Sequence, residues 1–510
     1  MDNSKVKNTP LWLLSFIVIL PTFFAFLATS ATNVALPHIA GSFGSTNDEA
    51  KWVVTSYMVA NGIFLPLTGW LERKFGRLDF LKIFIALFTL GSCVCALATN
   101  LNMLILGRII QGVGGGILMP LSQSILLQEF PNDRKSDAMA IFIFGIMVSS
   151  IMGPTVGGYL VDYFSWQWIF IINVPIGIFS LIVIPLTVND TAKDKNSGKV
   201  DVLGLVFLIT WLFSMQVVLD KGQQYGWFDC TWICWLSVFS LGCMFLFVVW
   251  ELEIKEPIVN LRVFKDLNFV VGTILGFLVN VMVCVTIILL PQYYQGLMHY
   301  TASLTGLALA SRVVACVALF FIGKLCQMYD LRALIATGFV FIGVSISLCA
   351  NLNLQSSPTA IILSNVLFGI GSVFALVPIS SLALGTLPKS KIPDAAGVHS
   401  LSKCVTGSMF TSLASSFAIS LSQVHQTYLL KNMTVYNPVF VKHFTVLKGA
   451  FMHSLPSLSA ARKANAILYK QLLVQAKLSA FADLFQFAAL VTFLVIPLVL
   501  LLKVDIAKQH

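Results

Sequence analysis

Arg108 stands in the stretch LGRIIQGVGGG, residues 106–116, and is the only formal charge between Lys82 and Glu129. A guanidinium stays protonated and offers five donors in a fixed fork. Among apolar, small and amide neighbours it needs carbonyls, an amide such as Gln111, or an anion. Inside a bilayer such a charge costs roughly 3 kcal/mol or more and usually faces a cavity or the bundle interior. Two readings stay open: an arginine satisfied by backbone carbonyls and Gln111, or one lining a polar cavity. Arg312, inside GLALASRVVACVALF, poses the same choice. If both faced one cavity, it would hold two cations and no protein anion. Such a site favours acidic or weakly acidic amphiphiles, because the ligand supplies the missing countercharge.

The 22 Asp and Glu residues avoid the middles of the apolar segments. Asp162 and Asp220 fall at outer ends; Glu72, Glu129, Asp137 and Asp394 fall at inner ends. Asp220 is a candidate proton carrier if it reaches an outward cavity, and otherwise a loop cap. His38 titrates in the useful range, and otherwise is an interfacial residue. Asn33, Tyr57, Asn61, Gln123, Asn280, Gln292 and Gln295 are candidates for hydrogen bonds to a substrate. The ten cysteines are scattered, with no histidines at zinc-ligand spacing. There is no GxxxxGK[ST] loop, no hydrolase triad and no Gly-rich cofactor turn. Metal, cofactor and enzymatic chemistry are therefore not expected, and ATP is not the direct energy source.

The elements that position these residues are apolar helices. The chain of 510 residues is 57% hydrophobic and only 11% charged, with mean hydropathy +0.87, whereas soluble domains carry about 25% charged residues. Spans of about 20 residues are predicted at 11–31, 51–71, 80–98, 103–127, 137–161, 167–188, 202–219, 231–250, 267–290, 303–325, 332–350, 358–380, 399–421 and 481–502. The first is read as a retained span, since no small-residue cleavage site follows it. Lys and Arg cluster on one side: Arg73, Lys74 and Arg77 in one loop, Lys193, Lys195 and Lys199 in another. The opposite short loops hold only Lys51 and Lys221. Both termini are then expected in the cytoplasm. The net charge of +10 reflects this bias; no basic stripe with interleaved aromatics suggests nucleic acid.

Several segments resemble one transporter family. LNMLILGRIIQGVGGG, with Arg108, Gln111 and Gly112, resembles the fourth-helix pattern of the major facilitator superfamily. GWLERKFGR, with Gly69, Arg73, Gly76 and Arg77, resembles its loop between helices two and three. GIMVSSIMGPTVGG, ending in Gly153, Pro154, Gly157 and Gly158, resembles its fifth-helix antiporter motif. NVALPHIA (33–40) and WIFIINVPIG (168–177) resemble the fourteen-helix drug:proton antiporter branch of EmrB/QacA type. The resemblance spans nearly the whole chain. It implies proton coupling at Arg108 with helix one, and gating by the glycine, proline and arginine motifs. Two positions depart from the pattern. The usual helix-one acid is Ala28 here, and the usual loop Asp is Arg73, leaving Glu72 as the nearby acid. Coupling through a helix-one carboxylate is therefore not carried over.

The fold expected from this resemblance is an all-α integral membrane protein of the major facilitator type with 14 transmembrane helices. Residues 1–188 would form a six-helix half, 189–266 two linker helices, and 267–510 the second half. The basic segment 422–480 would lie outside, as a docking element or as an amphipathic hairpin on the bilayer. The expected function is proton-driven export of hydrophobic, weakly acidic compounds from a bacterial inner membrane. The resemblance implies no cofactor, energy from the proton motive force, and work with an EmrA-type periplasmic adaptor and outer-membrane channel in a two-membrane host. Export of an endogenous metabolite such as a siderophore, or a non-transporting sensor or scaffold, are the alternatives.

Overall fold

The computed structural model describes residues 10–502 except 51, 132–133, 189–200, 223–224, 255–256, 258, 260, 301, 386, 389–390 and 454–455. Lys193, Lys195 and Lys199 lie outside the described residues. With no water in the hydrocarbon core, backbone groups must pair within the chain, and helices do this locally. The first set is α1 (Leu11–Phe43), α2 (Asn47–Ala50), α3 (Trp52–Phe64), α4 (Thr68–Phe75), α5 (Arg77–Ala96), α6 (Leu101–Glu129), α7 (Lys135–Tyr163), α8 (Trp168–Ile171) and α9 (Asn173–Thr187). The pair α10 (Val202–Gly222) and α11 (Thr231–Glu253) follows. The second set is α12 (Leu267–Gly296), α13 (Ala302–Ala310), α14 (Ala315–Met328), α15 (Leu331–Ala350), α16 (Pro358–Gly385), α17 (Ile392–Leu430), α18 (Pro438–Met452) and α19 (Ser457–Val495).

Local signals set the ends. The Asn100 and Asp266 side chains accept from Met103 N and Phe269 N, both at 2.8 Å, and cap α6 and α12. Gly44 ends α1 at φ 61°, and Gly76 divides α4 from α5 at φ 78°. Hydroxyls within the apolar helices return to their own backbone, as Thr32 Oγ1 does to Ala28 O at 2.6 Å.

Eleven described helices are long and apolar enough to cross a membrane, or twelve if the bent pair in α13–α14 is one span. The passage of α3 and α4 through the 3-10 turn Leu65–Leu67, together with α17, makes the set consistent with fourteen crossings. The segment expected outside the membrane at 422–480 is mostly helical. α17 and α19 each run 39 residues, about 58 Å, against a hydrocarbon core of about 30 Å. Each is one continuous helix longer than a single crossing needs, and α18 joins the two into a hairpin.

Three cores organise the bundle. The largest gathers Val18, Phe80, Ile125 and Phe142 from the first set with Ile322 and Ile392 from the second. All lie toward the face where α1 begins, called here the first face. Toward the second face the cores are separate. One joins Ile39, Val53, Leu104 and Phe170; the other joins Leu289, Tyr294, Ile346 and Phe485. The two helix sets thus share a sealed first face, and their cores part toward the second.

Candidate functional site

Arg108 is fully buried on α6. Its Nε donates to Val53 O at 2.9 Å, and one terminal nitrogen donates to Gln111 Oε1 at 2.7 Å. Gln111 Nε2 in turn donates to Ser92 Oγ at 2.7 Å. The guanidinium carbon lies 4.3 Å from the Tyr57 ring centre and 5.7 Å from that of Phe170, within cation–π range. Its Nη2 has no partner among the described residues. The glycine run explains how this shell forms. A Cβ at Gly112 would lie 2.6 Å from Tyr57 O, and one at Gly116 would lie 2.6 Å from Asn61 O. A Cβ at Gly114 would strike the Phe88 backbone. Bare glycines therefore let α3 and α5 close on α6 and wrap the arginine in a carbonyl, an amide and two rings.

Arg312 has a parallel setting in the 3-10 turn Ser311–Val314. Its Nε donates to Asn365 Oδ1 at 3.0 Å, and Asn365 Nδ2 donates to Tyr294 Oη at 3.2 Å. The Phe368 ring centre lies 4.5 Å from its guanidinium carbon. With Arg108 at 0% and Arg312 at 9% exposure, each is enclosed within its own helix set. In this structure each arginine takes the enclosed setting, one of the two readings left open by the sequence. Amide and aromatic neighbours satisfy part of each guanidinium, only Gln111 among them being near in sequence, and the Nη2 of each has no partner among the described residues.

The other candidates separate. Tyr57 is buried beneath Arg108, and Asn61 Nδ2 donates to its hydroxyl at 3.4 Å. Gln123 is buried, with Nε2 3.4 Å from Met139 Sδ. Asn33 and His38 of α1, and Gln292 and Gln295 of α12, are exposed toward the second face. Asp220 occupies the last turn of α10 and Arg73 belongs to α4; their side chains, and the surroundings of Gly69, are outside the described set. Gly153 and Gly157 bring α7 against Ser30 and Ala31 of α1, so their contact is within one helix set. Gly158 has nothing within 4 Å of an added Cβ, and Pro154 lies inside α7.

The first face carries polar ties. Buried Arg77 donates from Nε to Glu72 Oε1 at 3.2 Å and from Nη1 to Glu129 Oε1 at 3.1 Å. It also donates to Gln128 Oε1. Lys135 Nζ donates to Gly385 O at 2.9 Å, joining α7 to α16 across the two helix sets. The Glu129 and Gly385 contacts span distant parts of the chain, so no local pattern announced them.

Two further groups went unnoticed in sequence. α17 begins at Ile392 with Pro393 in its first turn, earlier than the predicted span at 399. That start carries His399 and Lys403 inside the bundle. Asn280 Nδ2 donates to Lys403 O at 2.8 Å. His399 is fully buried. Among the described residues no group of three His, Cys, Asp or Glu side chains could hold a metal ion.

Two helix sets that share one core at one face and part toward the other have the architecture of a multi-pass membrane transporter. The family model of the Major Facilitator Superfamily matches residues 18–411, and the chain belongs to that family. It is 31% identical over 457 residues to the multidrug export protein EmrB of Escherichia coli K12, covering 88% of each chain. It is 31% identical over 443 residues to the fatty acid resistance protein FarB of Neisseria gonorrhoeae, covering 86% of each. The human organic anion transporter MFSD10 has the same fold, with TM-score 0.58 at 13% identity, covering 96% of this chain and 100% of that one.

Proposed function

We propose that this protein exports hydrophobic, weakly acidic compounds by proton antiport through alternating access. The observation that carries the reading is the division of the cores: one shared core at the first face, two separate cores at the second. Lys and Arg bias assigns the first face to the cytoplasm, with both termini there, in the inner membrane of a bacterium. On that assignment the structure is outward-facing. Residues 1–188 and 267–510 act as the rocking units, with 189–266 beside them. Relatives named for multidrug export and fatty acid resistance support a greasy substrate, and the second supports an acidic one. The proton motive force supplies the energy, with no cofactor.

The hairpin formed by α17, α18 and α19 supports docking to a periplasmic adaptor of EmrA type and, through it, an outer-membrane channel. Its arms are tied by His425 Nε2 to Asp483 Oδ2 at 2.8 Å and by Gln426 Nε2 to Tyr469 Oη at 2.7 Å. Its tip presents exposed Val435, Tyr436 and Val439.

The test is a growth-inhibition panel in an efflux-deficient bacterium expressing wild type or Arg108→Ala at matched membrane levels. Acidic uncouplers and cationic dyes are compared. Protection against acids by wild type alone is expected. Protection against cations only overturns the substrate class; protection against neither shifts the reading to export of an endogenous metabolite.

A further inference from the structure

Two cations on the membrane helices, Arg108 and Arg312, are enclosed by amide and ring partners. Lys403 is different. It lies 11 residues past Ile392 on α17, about 16 Å along the helix. Its side chain is only partly buried, and among the described residues no carboxylate pairs with it. One turn below on the same face stands His399, at 0% exposure. Both its ring nitrogens lack partners among the described residues. Whichever tautomer is present, one nitrogen offers a proton and the other a lone pair. Gly276 of α12 makes the room: a Cβ there would lie 3.1 Å from His399 Cε1.

Among the described residues no carboxylate pairs with Lys403, and Asp394 of α17 itself stands nine residues before it, about 13 Å along the helix. α12 and α16, packed around His399, carry no charged side chain along their length. The acids of α4 and α6, Glu72 and Glu129, stay at the first face with Arg77. Arg108 lies toward the second-face end of α6. α10 keeps Asp220 and Lys221 in its last turn. On α19, Asp483 pairs with His425 of α17, and the lysines precede it in the hairpin arm. An ammonium in a low-dielectric bundle needs a countercharge, and an imidazole with two unused positions needs a partner.

We propose that Lys403 and His399 form the head-group subsite for an acidic amphiphile, the ammonium pairing with its carboxylate and the imidazole N–H donating a second hydrogen bond. This rests on the reading of the protein as an exporter of weak acids, and adds the residues that recognise the acid. The Asn280 amide, bonded to Lys403 O, holds α17 against α12 and fixes the height of the pair.

The test uses the full chain in lipid nanodiscs and measures binding of radiolabelled dodecanoate, with dodecanol and dodecyltrimethylammonium as neutral and cationic probes of equal tail. Lys403→Gln is expected to weaken dodecanoate by about tenfold or more while dodecanol binding is unchanged. Lys403→Arg is expected to retain dodecanoate, and His399→Gln to lose part of it. Unchanged dodecanoate binding in Lys403→Gln, or equal loss of acid and alcohol, overturns the subsite and leaves acid export standing. Wild type that binds the cation and ignores dodecanoate overturns both.

Discussion

Replacing Arg108 by lysine keeps the charge and removes the fork. An ammonium presents no planar pair of donors that reaches Val53 O and Gln111 together. Arg108→Lys is therefore expected to lose protection against acidic uncouplers nearly as fully as Arg108→Ala, at matched membrane levels; near-wild-type protection by the lysine variant would show that charge alone matters. The glycines give a second residue-level contrast. Gly112→Ala places a Cβ 2.6 Å from Tyr57 O and 2.8 Å from Ala60 Cβ, an overpacking that costs about 1–3 kcal/mol. Gly158→Ala meets nothing within 4 Å and removes a helix-interior glycine, a gain of up to about 1 kcal/mol. Thermal unfolding in detergent is expected to show a lower Tm for the first and an equal or higher Tm for the second. At this scale the sequence marked Arg108 and Gln111, three positions apart on one helix turn. It could not mark Val53 O, Ser92 or the Tyr57 ring as their partners, because α3 and α5 meet α6 only in the folded bundle. His399 and Lys403 fall in the first residues of the predicted span 399–421, where they read as an interfacial end, whereas residues 392–398 already belong to the same helix.

Helix continuity decides what α17 and α19 do. Apolar content falls after residue 421 while helix-forming residues such as Ala, Leu, Gln and Lys continue, so hydropathy signals an exit and helix propensity signals continuation. In the structure each helix runs unbroken through that change in composition. Eleven of the membrane-crossing helices were legible from hydropathy; the hairpin was legible in composition but not in its rigid attachment. Its ties, His425 to Asp483 and Gln426 to Tyr469, link residues 58 and 43 positions apart. Replacing residues 433–453 at the tip by a short Gly-Ser linker leaves every described membrane helix intact. Such a variant is expected to transport acids normally in proteoliposomes yet fail to protect a two-membrane cell. Full protection of that cell by the variant would assign the hairpin to the bilayer surface rather than to an adaptor.

On the scale of the whole molecule, the shared core at the first face must open for the protein to accept substrate from that side. Apolar burial holds it closed, and Lys135 adds a directional tie to Gly385 O at 2.9 Å. Nothing in the sequence showed which face the two halves close, since that depends on contacts 250 positions apart. A hydrogen bond from a charged donor contributes about 1.5–3 kcal/mol, so its loss shifts the balance between closed and open first face by about tenfold or more. Gln292, exposed toward the second face, reports that balance when changed to cysteine in a cysteine-free background. A membrane-impermeant maleimide added from the second side is expected to label Gln292→Cys quickly. Adding Lys135→Ala is expected to slow that labelling, as molecules move to the state in which the second face is closed. Equal labelling rates with and without Lys135→Ala would mean that the shared core alone keeps the first face closed, and that the Lys135 tie has no part in setting which way the transporter faces.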